Sequence, residues 1–140
     1  MPEKRESLDP SVLVSALTSF GKALDEYKKD ESNDFIRDSV IQRFEFCYDL
    51  SVKFIKRHLS LISANPSAIN EMSFQEIIRE AYTKGILRNS WDTWWKYRDD
   101  RNATSHAYSE AKAIEVAGDV DAFLIEADYL VEQLKAEYEA

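Results

Sequence analysis

The residues best suited to do chemistry lie together in one stretch, Lys96-Tyr97-Arg98-Asp99-Asp100-Arg101-Asn102-Ala103-Thr104-Ser105-His106-Ala107-Tyr108. It holds one of only two histidines in 140 residues, among arginine, asparagine, serine, threonine and tyrosine. Each of these side chains can donate a hydrogen bond to a phosphate oxygen. Arginine does so as a planar fork that never loses its charge, and histidine moves a proton near neutral pH. Arg101 with His106 is therefore a minimal kit for cleaving a phosphodiester. The arginine stabilises charge on phosphorus while the histidine acts as base or acid, and Asn102 orients either the phosphate or His106. RNA carries its own nucleophile in the 2′-hydroxyl, so no metal is required.

Spacing puts a condition on that chemistry. On one continuous helix, Arg101 and His106 would lie roughly 140° apart, whereas Arg101 and Tyr108 would share a face. Either the helix ends or distorts between Arg101 and His106, or the working histidine comes from a second subunit. Asn102, Thr104 and Ser105 all compete with helical hydrogen bonds, so a break is expected there.

The surrounding sequence reads as helices. Glycines and prolines are few, three of each, and no strand-like alternation persists. Asp9-Pro10 is expected to open a first helix carrying the stripe Leu13, Leu17, Phe20, Leu24 and Tyr27. Residues 1–8 are expected to be a flexible terminus. A long second helix is expected from about Asp34 to Ile62, with Ile36, Val40, Phe44, Cys47, Phe54 and Leu61 towards the core and Leu50 and Ile55 beside them. A loop should follow from Asn65-Pro66 to Met72. The capping box Ser73-Phe74-Gln75-Glu76 starts a third helix ending at Lys84-Gly85. Ser90 caps a fourth, and a last stretch from Glu110 to Tyr138 is kinked or restarted at Gly118-Asp119. The fold class expected is all-α: an antiparallel up-and-down four-helix bundle with an additional short helix, in a single domain.

Composition narrows the function. The formal charge of −8 argues against a broad, sequence-blind nucleic-acid surface. The acidity is concentrated at the C-terminal end, where Glu110 to Ala140 contains only Lys112 and Lys135 as basic residues. The single cysteine, Cys47, is expected to be a small buried residue in a reducing compartment. No apolar stretch approaches a membrane span and the charged N-terminus is not a signal peptide, so a cytoplasmic location is expected. There is no Gly-rich phosphate loop or metal-ligand cluster, and no cofactor or metal is expected. His58, in Lys56-Arg57-His58, is expected on a solvated helix face. Trp91, Trp94 and Trp95 are expected in the core or an interface, and Tyr48 in the core. Gln42, Arg43 and Glu45 either line the cleft opposite Arg101, with Arg98 and Ser105 near it, or hydrogen-bond across the bundle.

Three segments together resemble a known family. Arg101-Asn102-(three residues)-His106, continuing to Tyr108, resembles the arginine–four residues–histidine motif of HEPN domains. Val40-Ile41-Gln42-Arg43-Phe44-Glu45-Phe46-Cys47-Tyr48-Asp49-Leu50, Phe74-Gln75-Glu76-Ile77-Ile78-Arg79-Glu80-Ala81 and Asp99 to His106 resemble, in order and spacing, the nucleotidyltransferase substrate-binding branch of that family. The resemblance covers about residues 9 to 135. It implies a helical bundle that forms homodimers and is paired with a minimal nucleotidyltransferase encoded nearby, in the manner of toxin and antitoxin. It implies a metal-independent ribonuclease using Arg101 and His106, with Tyr108 as the acceptor of AMP from the partner. The older name of the branch implies instead a non-catalytic subunit that holds a nucleotide or other substrate.

Overall fold

The computed structural model describes residues 8–105 and 109–139. Among them are seven helices and no strand: α1 (Ser11–Lys29), α2 (Asp34–Ile62), α3 (Pro66–Asn70), α4 (Phe74–Thr83), α5 (Trp91–Thr104), α6 (Glu110–Asp119) and α7 (Asp121–Tyr138). The all-α bundle expected from the sequence is the fold observed.

Local chemistry sets most helix ends. The Asp9 carboxylate accepts the Ser11 amide at 3.0 Å, which opens α1 and holds that carboxyl below its ordinary value. Asn33 caps α2 through the Phe35 and Ile36 amides. Ser73 and Glu76 form the reciprocal capping box of α4. One expectation is corrected. The stretch after Asn65 is not loop throughout, because Pro66 opens the short helix α3 with its fixed φ at the first position. The last stretch restarts as expected, with α6 ending at Asp119 and α7 beginning after Val120.

Helix α2 is the spine and packs against all six others. α1 runs antiparallel to it, since Arg43 donates to the Ser19 carbonyl at 2.8 Å and Cys47 to the Ala16 carbonyl at 3.1 Å. Burial pushes the Cys47 thiol up to about 12. α7 returns in the direction of α2, from Phe123 beside Phe44 to Tyr138 beside His58. The core face of α2 is Val40, Phe44, Cys47, Tyr48, Ser51, Ile55 and Leu59. The expected core positions Phe54 and Leu61 are only half-buried. Seven-residue steps from Cys47 fall behind a 3.6-residue helix by about 20° each, so the buried stripe passes through Ser51, Ile55 and Leu59 instead.

His58 is a second correction on this helix. It is buried, with Nδ1 at 2.6 Å from the Tyr138 hydroxyl, and so ties α2 to the end of α7. A hydrophilic neighbourhood in sequence, Lys56-Arg57, concealed a core-facing position. Glu126 in α7 is likewise fully buried and accepts the Arg88 amide at 2.7 Å and the Asn89 side chain at 3.0 Å. It fastens the turn before α5 to the core, and burial raises its carboxyl pKa.

The two glycines outside α1 differ in what they require. Gly85 closes α4 at φ +84°, whereas Gly118 lies within α6, and neither has a neighbour that a methyl group would meet. Gly85→Ala should therefore destabilise the chain by about 1 kcal/mol through backbone strain alone. Gly118→Ala should stabilise it by about 0.5 kcal/mol. Urea unfolding of both variants checks the opposite signs.

Candidate functional site

The roll of α5 is set by its aromatic residues. Trp94 and Tyr97 are buried, packed edge-on against Phe123 with ring centroids 5.7 Å and 5.2 Å away. Trp94 also lies 6.2 Å from Tyr48 of α2. Arg101 is one turn beyond Tyr97 and two beyond Trp94, on the same side of the helix, so it is delivered against α2.

There it meets a carboxylate. Arg101 Nε and Nη2 donate to the two Asp49 oxygens, both at 2.9 Å, in a bidentate pair. Its Nη1 donates to Thr104 Oγ1 at 3.0 Å and lies 4.0 Å from Glu45 Oε2. The Asp49 hydrogen bonds hold the guanidinium above its ordinary pKa. Arg98, on the same helix, lies over the Phe74 ring at 5.1 Å. Burial raises the Tyr48 phenol, and the Arg98 charge acts to lower it. Two arginines and two carboxylates thus share this corner of the bundle.

Helix α5 ends between the two residues whose spacing raised the question. Thr104 is its last residue, Ser105 is the C-cap, and the Ser105 amide closes a tight last turn onto Asn102. Thr104 Oγ1 donates back to the Arg101 carbonyl at 2.7 Å, the local competition that ends a helix. Asn102 and Ser105 are exposed at this end. Ser109 is extended and caps α6 through the Lys112 amide. His106 and Tyr108 lie outside the described residues.

The remaining candidates divide. Glu45 faces Arg101, but Gln42 and Arg43 do not. Arg43 bonds across to α1, and both line a groove with Val12, Ser15 and Phe46 on the α1 side of α2. Asp49 was missed by the sequence reading. Its signal was available, one turn after Glu45 on the same helix, but nothing in the sequence pairs it with Arg101, 52 positions away. Asp100, adjacent to Arg101, faces the other way and is buried. Lys96 bridges it at 2.7 Å to Asp119 at 3.1 Å, joining α5 to the end of α6. Arg37, buried at the start of α2, approaches Glu110 at 4.0 Å and was likewise not foreseen.

Comparison with known proteins identifies the family of this chain. The family model described as "Nucleotidyltransferase substrate binding protein like" matches residues 8–136. The chain belongs to that family. It is 42% identical over 102 residues to a protein of Haemophilus influenzae named "Probable ribonuclease HepT", covering 73% of this chain and 69% of that one. It also superposes on the solved structure of HI0074 from the same species, described as the fold of a substrate binding domain of a nucleotidyltransferase. That match has a TM-score of 0.85 and 36% identity, over 91% of this chain and 99% of the other.

The Arg101–Asp49 pair is open to solvent, with side chains 26% and 57% exposed. Pairs of that kind contribute about 0–1 kcal/mol to stability. A double-mutant cycle of Asp49→Ala and Arg101→Ala, measured by denaturant unfolding, should give a coupling energy of no more than about 1 kcal/mol. Both variants should remain folded.

Proposed function

We propose that the chain is a metal-independent ribonuclease whose catalytic groups are Arg101 and His106, controlled by a nucleotidyltransferase partner. The observation that carries this reading is the end of α5 at Thr104, placed between a clamped, solvent-accessible arginine and position 106. The name of the Haemophilus influenzae relative supports it.

In the cleavage step the RNA 2′-oxygen attacks the adjacent phosphorus and loses its proton to a base. The bond from phosphorus to the 5′-oxygen breaks, and that oxygen takes up a proton from an acid. The products are a 2′,3′-cyclic phosphate and a 5′-hydroxyl. Arg101 stabilises the charge on the non-bridging oxygens as the phosphorus becomes five-coordinate, with Asn102 and Ser105 donating nearby. To do so the guanidinium exchanges Asp49 for phosphate. The exposed Asp49 pair is held by only about 0–1 kcal/mol, so its exchange for a phosphate costs little.

One His106 cannot be base and acid in the same step, so the reading requires a homodimer in which the second copy supplies the other histidine. A face for it exists on α2. Phe35, Gln42 and Phe46 share a side of that helix with Asp49. Phe35 is 84% exposed, Phe46 58% and neighbouring Val12 of α1 56%. A two-fold contact over this face brings the two Arg101–Asp49 pairs to its edge.

The partner nucleotidyltransferase silences the enzyme by transferring AMP to Tyr108. The phenol oxygen attacks the α-phosphorus of ATP and loses its proton, and the bond to pyrophosphate breaks. The added phosphate can then occupy Arg101 in place of RNA. The family description favours a second reading, in which the same arginine clamps a nucleotide or other substrate for the partner without cleaving it.

Purified chain should cleave single-stranded RNA in the presence of EDTA. Arg101→Ala and His106→Ala should each reduce the rate by at least about 100-fold with an unchanged helical spectrum. Absence of cleavage by the wild type leaves the substrate-binding reading. Intact mass after incubation with the partner, ATP and magnesium should show AMP added to the wild type and none to Tyr108→Phe. Phe46→Lys should convert the dimer to a monomer in sedimentation; a wild-type monomer at micromolar concentration would remove the composite site.

A further inference from the structure

We propose that the groove between the residues leading into α1, the second half of α2 and the short helix α3 binds single-stranded RNA and leads the strand to Arg101. The groove is about 730 Å³, and its walls include Leu8, Lys53, Phe54, Lys56, Arg57 and Leu61. Its charge is the opposite of the molecule's. The chain carries 26 acidic residues and a formal charge of −8, yet Leu50 to Asn70 contains no Asp or Glu at all. That segment holds Lys53, Lys56 and Arg57. The one carboxylate lining the groove, Asp9, is engaged by the Ser11 amide. Lys53 and Lys56 are exposed and have no ion-pair partner among the described residues.

The groove and the candidate site are linked by one face of α2. Lys53 follows Asp49 by one turn of α2, about 6 Å along the same face, and Asp49 holds Arg101. A strand whose phosphate displaces Asp49 therefore meets Lys53 next, and then Lys56. Half-buried Phe54 and Leu61 supply the apolar surface on which a base and its ribose can rest. A positively charged track with an aromatic residue beside it is the arrangement that holds single-stranded nucleic acid without reading its sequence. It also answers the objection raised by the net charge, since approach needs one basic path and not a basic surface. The inference rests on the ribonuclease reading for its direction, towards Arg101, while binding in the groove is tested separately.

The test is fluorescence anisotropy with a labelled, fully 2′-O-methylated oligoribonucleotide, which lacks the nucleophile and cannot be cleaved, over a series of salt concentrations. The double variant Lys53→Gln/Lys56→Gln should bind about tenfold more weakly at low salt. The slope of log K against log salt should fall by about 1.4, two single-strand phosphate contacts at about 0.7 each. Phe54→Leu should weaken binding about fivefold or more and leave the slope unchanged. Circular dichroism checks that all three positions tolerate the change. Unaltered affinity and slope in the double variant overturn the proposal, as does failure of the wild type to bind at low salt. Loss of nucleotidyltransferase binding with RNA affinity unchanged also overturns it and assigns the groove to the protein partner. Cleavage of unmodified RNA is followed in parallel. Lysine-dependent binding without cleavage retains the groove and removes the ribonuclease. Cleavage with lysine-independent binding does the reverse.

Discussion

Burial of Trp94 is the constraint on which the candidate site depends. An indole fully removed from solvent stabilises by several kcal/mol, far more than any exposed ion pair in the molecule. It is met on α2 by Tyr48 and on α7 by Phe123, so α5 can take only one roll about its axis. Everything on α5 follows from that roll. Tyr97 turns inwards beside Phe123, and burial and the nearby Glu126 charge push its phenol up to about 12. Asp100 is carried under the bundle surface, where Lys96 must pair with it. Arg101 is carried to the edge facing Asp49. The bidentate pair is a consequence of packing and contributes little to it.

This ordering separates what holds the fold from what remains available for chemistry. Three desolvated ionisable groups are satisfied by structural partners: Glu126 by Arg88 and Asn89, His58 by Tyr138, Asp100 by Lys96. Each joins two parts of the chain, and each would be costly to disturb. Arg101, Asp49, Asn102 and Ser105 sit where water still reaches them. The Arg101–Asp49 pair is weak enough to exchange and directed well enough to hold the guanidinium in place.

The acidic character of the chain is likewise distributed by the fold. The C-terminal carboxylates lie on α6 and α7, while the run Leu50 to Asn70, which contains no Asp or Glu, forms the second half of α2 and α3. A net charge counted over the sequence therefore describes no single surface. Lys53 and Lys56 of the groove and Asp49, which holds Arg101, lie along one face of α2.

What the sequence determined by itself was local. The Asp9 and Ser73 caps, the glycine closing α4, the restart before α7 and the extent of α2 are written in residues within a few positions of each other, because caps and turns are satisfied by nearest neighbours. The break after Arg101 was legible for the same reason, since Asn102, Thr104 and Ser105 compete with the helical backbone where they stand. The three segments that resemble the family were legible too, because their order along the chain is itself the signal. Only the tertiary structure decided which way each helix faced. It turned His58 inwards despite Lys56 and Arg57, moved Phe54 and Leu61 from core to groove, separated Arg43 from Glu45, and brought Asp49 to Arg101. The physical reason is that a helix's period constrains which residues share a face, but the choice of the buried face depends on the partners across the bundle. Those partners lie tens of residues away, and no local pattern names them.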